Sequence, residues 1–468
     1  MFSVFFDLET TDKNCIGQII NYSFILVDEA LQPVDELSEL VHISRLQLPD
    51  PGAILANRTD VLEHQERAQF DEYSAMHRID AFLRKCIDRA GGALAFVGYN
   101  SARFDLQYLR TSLIRNGLDP YYGKSLHYKD LLHAVQKAYL TSLDFRDLIR
   151  SERGGEKKLS LSLQTTARAL GLLPGVQAHE SREDVLLTIK VAATLKTRFG
   201  IDVVSFRCYE GFNLHATAKS GAVYIAESPE YDLTVGEVSA KTPMTLLDFD
   251  HRSSLWINVQ RFIEKPDGVP IVYRNFSTGP LYISPNAVRD PQLERAARSA
   301  VAHYKNVTVR SFFERSTCDI EMDIYRLDAA DRECLKLALA KGSKAPLEKC
   351  SSDDAKKLWV RSQLARLQDL SNNEKASEML AKYAVYRYGG TLQLARKVKD
   401  KSGSDTSPSE GDFHITLREM VRDLERALEH AHVRGNLEDA KLLESLRTFY
   451  RASDIAKVAG GELAPQLL

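Results

Sequence analysis

The sequence predicts an α/β unit at its N-terminal end, a small β-barrel or sandwich after it and a helical region to finish. Three observations carry this. Over residues 1–198 short β-rich runs alternate with helical stretches. Over 199–315 short apolar runs are separated by Gly, Pro and Asp turns. Over 316–468 helical periodicity dominates.

Val4 to Glu9 is short and β-rich, Ile19 to Asp28 reads as a second strand, and Pro33 to Ile43 holds a third. Ala93 to Tyr99 is almost wholly apolar, which suits a strand buried on both faces. A helix follows, with Leu106, Leu109 and Leu113 at helical spacing and Gly117 and Pro120 to stop it. Another opens near Ser181 and carries Val185, Leu186, Ile189 and Ala192 on one face. Val223 to Ile225, Met244 to Phe249 and Leu255 to Val259 then read as strands of a small barrel or sandwich. Helices are expected at Asp331 to Ala340, Asp353 to Leu367, Glu374 to Tyr388 and Leu417 to Tyr450. The polar, Gly/Ser-rich run Lys401 to Asp412 reads as a loop among them.

The 468 residues suffice for two to four domains with real cores. Hydrophobic residues at 44% and charged residues at 27% exclude a disordered or fibrous chain. No apolar run reaches the roughly 18 residues that a membrane-spanning helix needs. The opening MFSVFFDLETT has no basic segment and places Asp7 and Glu9 directly after its apolar stretch, which suits a strand and not a signal peptide. The six cysteines form no CxxC pair, so reduced thiols in a cytoplasmic protein are expected, neither a zinc site nor a disulfide frame. A net charge of −2 does not advertise nucleic-acid binding but leaves room for a local basic groove.

The chemistry rests on carboxylates. Asp7 and Glu9 stand two apart on a strand and so face the same side. Two such charges at the end of an apolar strand repel, and a divalent cation such as Mg²⁺ or Mn²⁺ would compensate them. Alone, the pair is also what two solvated acids at a strand end look like. Asp105 opens a helix after the apolar strand, where the helix dipole favours it in any case. Ser181-Arg182-Glu183-Asp184 reads as a capping box with Ser181 as N-cap. His179 precedes that helix, so an imidazole able to accept a proton near neutral pH stands beside a helix whose first turn holds Asp184.

Taken together, Asp-x-Glu on the first strand, Asp after a strand and turn, and His-x4-Asp at the last helix resemble the histidine-bearing branch of the DEDD-type 3′→5′ exonuclease superfamily. Val97-Gly98-Tyr99-Asn100-Ser101-Ala102-Arg103-Phe104-Asp105, then Arg115-Asn116 and Asp119-Pro120-Tyr121, resemble the exonuclease I family of bacterial single-strand DNA exonucleases. Leu48 to Ala53, Lys129-Asp130-Leu131-Leu132, Ile324 to Lys336 and Tyr383 to Leu392 are similar to the same family. The chain departs from it at Leu8, where the family pattern has an aromatic, and at Ser162, where it has a substrate-contacting arginine; Lys157 and Lys158 lie nearby in sequence.

The resemblance implies a ribonuclease-H-like exonuclease domain over 1–198, an SH3-like β domain over 199–315 and a helical domain over 316–468. It implies two Mg²⁺ ions, with Mn²⁺ as a possible substitute, held by Asp7, Glu9 and Asp184, and Asp105 completing the site. His179 would take the proton from the attacking water, and Glu9 would also accept a hydrogen bond from the terminal 3′-hydroxyl. Arg110 and Tyr121 match positions that touch DNA, and Ser162 occupies a third. The implied activity is 3′→5′ hydrolysis of single-stranded DNA to 5′-mononucleotides in DNA repair and recombination, by a cytoplasmic monomer that also docks the acidic tail of single-strand DNA-binding protein. Two other readings stay open: an RNA-trimming exonuclease, and a catalytically idle nucleic-acid-binding scaffold.

Overall fold

The structure, a computed structural model, describes residues 2–12, 17–44, 46–123, 125–152, 156–173, 180–206, 213–250, 253–265, 268–275, 281–309, 311, 327–366 and 417–453. The first sheet has five strands in the order β3-β2-β1-β4-β5. β1 (Ser3–Thr10), β2 (Ile19–Val27) and β3 (Pro33–Leu40) are antiparallel, while β4 (Leu94–Gly98) and β5 (Leu126–Asp130) join parallel to β1. Eight helices accompany it among the described residues. They are α1 (Pro51–Ala56), α2 (Val61–Arg67), α3 (Glu72–Arg89), α4 (Asp105–Arg115), α5 (Leu131–Thr141), α6 (Leu143–Glu152), α7 (Leu163–Ala169) and α8 (Ser181–Phe199).

The period of two along β1 decides which residues meet which helices. Val4, Phe6 and Leu8 pack with Ile79 and Leu83 of α3 and Leu109 and Leu113 of α4. Phe6 stacks on Phe96 of β4 with ring centroids 4.0 Å apart. Phe5 faces the other way, among Val135 of α5 and Val185 and Ile189 of α8. Asp7 and Glu9 alternate with Phe6 and Leu8, so they share the face that α8 covers.

The stretch Pro33 to Ile43 holds the third strand as expected, over Pro33–Leu40, and Val41 then bridges to Phe70. One expectation changes. The capping box at Ser181 does not form: Glu180 is the N-cap, with no side-chain cap bond, and the Ser181 hydroxyl donates to Asn21 Oδ1 on β2 at 2.8 Å. That bond ties the start of α8 to the sheet, a use of serine that local sequence cannot reveal.

Beyond α8 lie α9 (Leu214–Thr217), β6 (Val223–Pro229), β7 (Ser239–Phe249), β8 (Ser253–Asn258), α10 (Val259–Glu264), β9 (Ile271–Asn275), β10 (Tyr282–Val288) and α11 (Pro291–His303). The strands form an antiparallel sheet in the order β10-β6-β7-β8-β9. The expected β unit also carries a helix that the sequence reading did not include, since α11 packs Ala300 against Leu247, Leu255 and Ile257 of the sheet. Its start was readable: Asp290 caps Gln292 and Leu293, and Pro291 is the first helical residue.

The C-terminal helices are α12 (Ala329–Lys341), α13 (Asp353–Arg366), α14 (Leu417–Val433) and α15 (Leu437–Ala452). The periodic stretch 417–450 is thus two helices, broken at Gly435, whose φ of +66° is left-handed. This hairpin packs Leu424, Leu443 and Leu446 onto Ile20, Ile43, Leu48, Ile54 and Val61 of the N-terminal unit. Tyr450 donates to the Pro49 carbonyl, and Arg58 pairs with Glu438 at 2.6 Å. The expected helix at 374–388, the loop at 401–412 and the segment 383–392 lie outside the described residues. No helix among the described residues is long and apolar enough to cross a membrane. Cys86, Cys334 and Cys350 are free thiols, while Cys15, Cys208 and Cys318 lie outside the described residues.

Candidate active site

β1 runs on past the end of its neighbour. β4 pairs with β1 only over Ser3 to Phe5 and ends at Gly98, so the far half of β1 has no partner strand on that side. The Asp105 carboxylate, at the first residue of α4, lies close enough to the Leu8 amide for that amide to pull its pKa down. Asp7 and Glu9 flank Leu8, and Asp184 arrives from the first turn of α8. Carboxylate oxygens of Asp7, Glu9 and Asp184 all lie within 4.8 Å of one another.

Such crowding is electrostatically costly. Burial first, then the charges of Asp105, Glu9 and Asp184, push the Asp7 carboxyl well above the ordinary range. Burial, followed by the charges of Asp184 and Asp105, lifts Glu9 to about 8. Asp105 also rises to about 8, through burial chiefly and the charge of Asp130 in addition, against the pull of backbone amides, Leu8 among them. An all-oxygen donor set that cannot ionise fully by itself near neutral pH suits a hard divalent cation, which favours the ionised form of every member.

A cavity of about 710 Å³ opens beside Glu9. Asn21, Glu180 and Arg182 line it near the acids, and Arg58 and Lys441 line it toward α15. The C-terminal hairpin therefore contributes a wall to the space next to the acidic cluster.

The remaining site candidates fall differently. Arg110, on α4, stands over the Tyr121 ring at 5.3 Å, so those two are together. Ser162 is the N-cap of α7 and its hydroxyl accepts the Thr165 amide at 3.2 Å. It supplies a cap and no cation. His179 lies outside the described residues. Asp130 is the residue whose part was not read from the sequence. It is buried at 4% exposure and holds the β4–α4 connection through Asn100 and Ala102. Its signal was modest: an aspartate in Lys129-Asp130-Leu131-Leu132, read only as a likeness.

No protein-family model matches the chain, and no curated protein matches it in sequence. Solved structures do match. An apo exonuclease I superposes with a TM-score of 0.63 at 14% identity, over 97% of this chain and 99% of that one. The zinc-bound form of the E. coli exonuclease I complex with single-stranded DNA gives 0.53 at 16% identity, over 97% and 99%. A moderately thermophilic exonuclease I from Methylocaldum szegediense gives 0.53 at 18% identity, over 98% and 100%. Over nearly its whole length, then, this chain has the exonuclease I-type fold, an α/β unit of ribonuclease-H type followed by an SH3-like sheet and a helical region.

Proposed function

We propose that this chain is a divalent-metal-dependent 3′→5′ exonuclease that degrades single-stranded DNA to 5′-mononucleotides. The observation that carries this is the meeting of Asp7, Glu9 and Asp184 within 4.8 Å, on the fold of exonuclease I. The E. coli protein of that fold has been solved with zinc and single-stranded DNA, and this reading extends both to the present chain. The proposed domains are 1–198 for catalysis, 199–315 for the SH3-like part and 316–468 for the helical part.

Asp7, Glu9 and Asp184 would hold two Mg²⁺ ions, or Mn²⁺ in their place, which when bound relieve charge on the leaving oxygen and orient the phosphate. Asp105, beside the Leu8 amide, completes the acidic wall. Glu9 borders the cavity, where it can accept a hydrogen bond from the terminal 3′-hydroxyl. His179, one residue before the α8 cap, takes the proton from the attacking water. Arg110 and Tyr121 present a cation and a ring to the strand. Ser162 leaves the phosphate there to its hydroxyl or to the nearby Lys157 and Lys158. The physiological setting proposed is repair and recombination in the cytoplasm, by a monomer that also binds the acidic tail of single-strand DNA-binding protein.

The test is a comparison of substrates. Single-stranded DNA, the same strand annealed to its complement, and an RNA of the same sequence are incubated with the protein and Mg²⁺. Preference for single-stranded DNA supports the reading. Equal or better cleavage of RNA makes the protein an RNA-trimming enzyme, and binding without cleavage makes it a scaffold.

A further inference from the structure

Asp130 ends β5 and takes no place among the clustered acids, yet its carboxylate is saturated with hydrogen bonds. Oδ1 accepts the Asn100 amide at 2.7 Å and the Leu132 amide at 3.0 Å. Oδ2 accepts the Ala102 amide at 3.2 Å and the Tyr128 hydroxyl at 3.1 Å. Two of these partners lie in the short connection that leads from β4 to Asp105. We infer that Asp130 is a positioning residue, which sets the Asp105 carboxylate against β1 by fixing the backbone from Asn100 to Ala102.

The connection is an unusual one and needs such a clamp. Asn100 sits in the left-handed region at φ +55°, which asparagine enters more readily than most residues but still less readily than glycine. Phe104, at the junction with α4, has φ −133° and ψ −81°, outside the helical and extended regions. Ser101 lies so close beneath Gly98 that a Cβ on that glycine would come within 2.0 Å of its Oγ. The Ser101 hydroxyl pairs with Tyr128 at 2.7 Å, and Tyr128 leads back to Asp130. Every partner of Asp130 can donate, so a group that only accepts fits all four, and an amide does not. In the Asp130→Asn variant the oxygen can still serve Asn100 and Leu132, and the Tyr128 hydroxyl can turn to accept. The Ala102 amide, three residues before Asp105, is then left facing a second donor.

A helix-capping role alone would involve Leu132 and stop there. The bonds to Asn100 and Ala102 reach across to another strand's connection, one residue in the left-handed region and one leading to Asp105. Misplacement of a functional carboxylate by about 1 Å is enough to cost about 10²-fold in rate, and outer partners of metal-site residues typically cost 10–100-fold when lost.

The inference rests on the proposed nuclease reading for its catalytic part, and the experiment separates the two. Hydrogen exchange of the metal-free full-length protein is measured for wild type and Asp130→Asn, and initial rates are measured on a short single-stranded oligonucleotide with Mg²⁺, below the melting transition of both. Exchange should quicken by about 10-fold or more in 99–105 while β1 stays protected. The kcat should fall about 10–100-fold, with KM for the oligonucleotide within about 3-fold of wild type. Unchanged exchange in 99–105, or a kcat within about 2-fold of wild type, overturns the positioning role. Quickened exchange in Asp130→Asn, together with a wild-type protein that cleaves nothing, overturns the nuclease reading and the catalytic part of the inference, while the placement of Asp105 by Asp130 stands.

Discussion

Arg361 of α13 meets Glu72 of α3 at 2.7 Å, and both side chains are only 7% exposed. Glu72 also pairs with Arg115 of α4, whose Nη1 donates at 2.9 Å to the carbonyl of Gly17, two residues before β2. Burial alone would raise the Glu72 carboxyl, but the charges of Arg115 and Arg361 outweigh it and hold it below its ordinary value. One buried acid thus joins the helical region to the sheet that carries the acidic cluster.

The two ends of this network are not equivalent. Glu72→Gln removes the buried charge that both guanidinium groups share, a change that typically costs about 3–5 kcal/mol. Arg361→Met leaves the Glu72–Arg115 pair intact and fills the space with an apolar chain, so its cost should be at most about half of that. Urea unfolding of the two variants checks the order, and a larger loss for Arg361→Met would contradict it.

Removing one of the clustered acids should separate activity from stability. Asp7→Asn takes away a charge that burial and three neighbouring acids already oppose. Cleavage should fall by about 10³-fold or more, since several kcal/mol of charge stabilisation pass through such a site and each 1.36 kcal/mol is tenfold. The metal-free protein should melt at the same temperature or a few degrees higher. Scanning calorimetry in excess chelator reads this directly, and a clear drop in Tm would mean that Asp7 is structural.

The raised carboxyls also fix a sign for pH. Glu9 moves from 4.5 to about 8 on folding, so between those values the folded state holds more protons than the unfolded one. Its contribution to metal-free stability is therefore full below about 4.5 and lost as pH rises toward 8. His64 acts in the opposite direction, because burial lowers its pKa, and the comparison must cancel it. The difference in Tm between Glu9→Gln and wild type does so: it should grow in favour of the variant from pH 5 to pH 8 without metal, and shrink when Mn²⁺ is added. A difference that is flat with pH would contradict the burial and crowding of Glu9.

His179→Ala should leave divalent-metal binding largely intact and slow turnover by about 10²–10⁴-fold, the usual worth of a general base. The deficit should narrow as pH rises and hydroxide becomes available. Rate–pH profiles of variant and wild type, with Mn²⁺ affinity measured alongside, decide it. A variant of near-normal rate at pH 7 would remove His179 from the mechanism.

Much of this arrangement was legible in the sequence. The period of two in β1 put Asp7 and Glu9 on one face, and the helical spacing after residue 181 put Asp184 in a first turn. Those patterns are local, and local patterns survive folding. What was hidden depends on long-range partners. Ser181 reads as a cap by its neighbours, but it is drawn to Asn21, 160 residues away. Ser162 reads as a missing cation by likeness and proves to cap α7. Asp130 reads only as part of a family-like run until Asn100 and Ala102 are brought over it. Nor could periodicity show that Leu443 and Tyr450 close the core around Ile20, Ile54 and Val61, so that residues 1–198 share a hydrophobic cluster with the C-terminal hairpin.

The metal-dependent release of nucleotides from a 3′ end tests the central claim most directly. A single-stranded DNA labelled at its 5′ end is incubated with the full-length protein in Mg²⁺, and in parallel with excess chelator, and both the shortened strands and the released products are identified. With Mg²⁺ a ladder shortening from the 3′ end and free 5′-mononucleotides are expected, and with chelator the strand should remain whole. Cleavage that persists in chelator, or an intact strand in both Mg²⁺ and Mn²⁺, would contradict the assignment of Asp7, Glu9 and Asp184 as the metal-holding centre of an exonuclease.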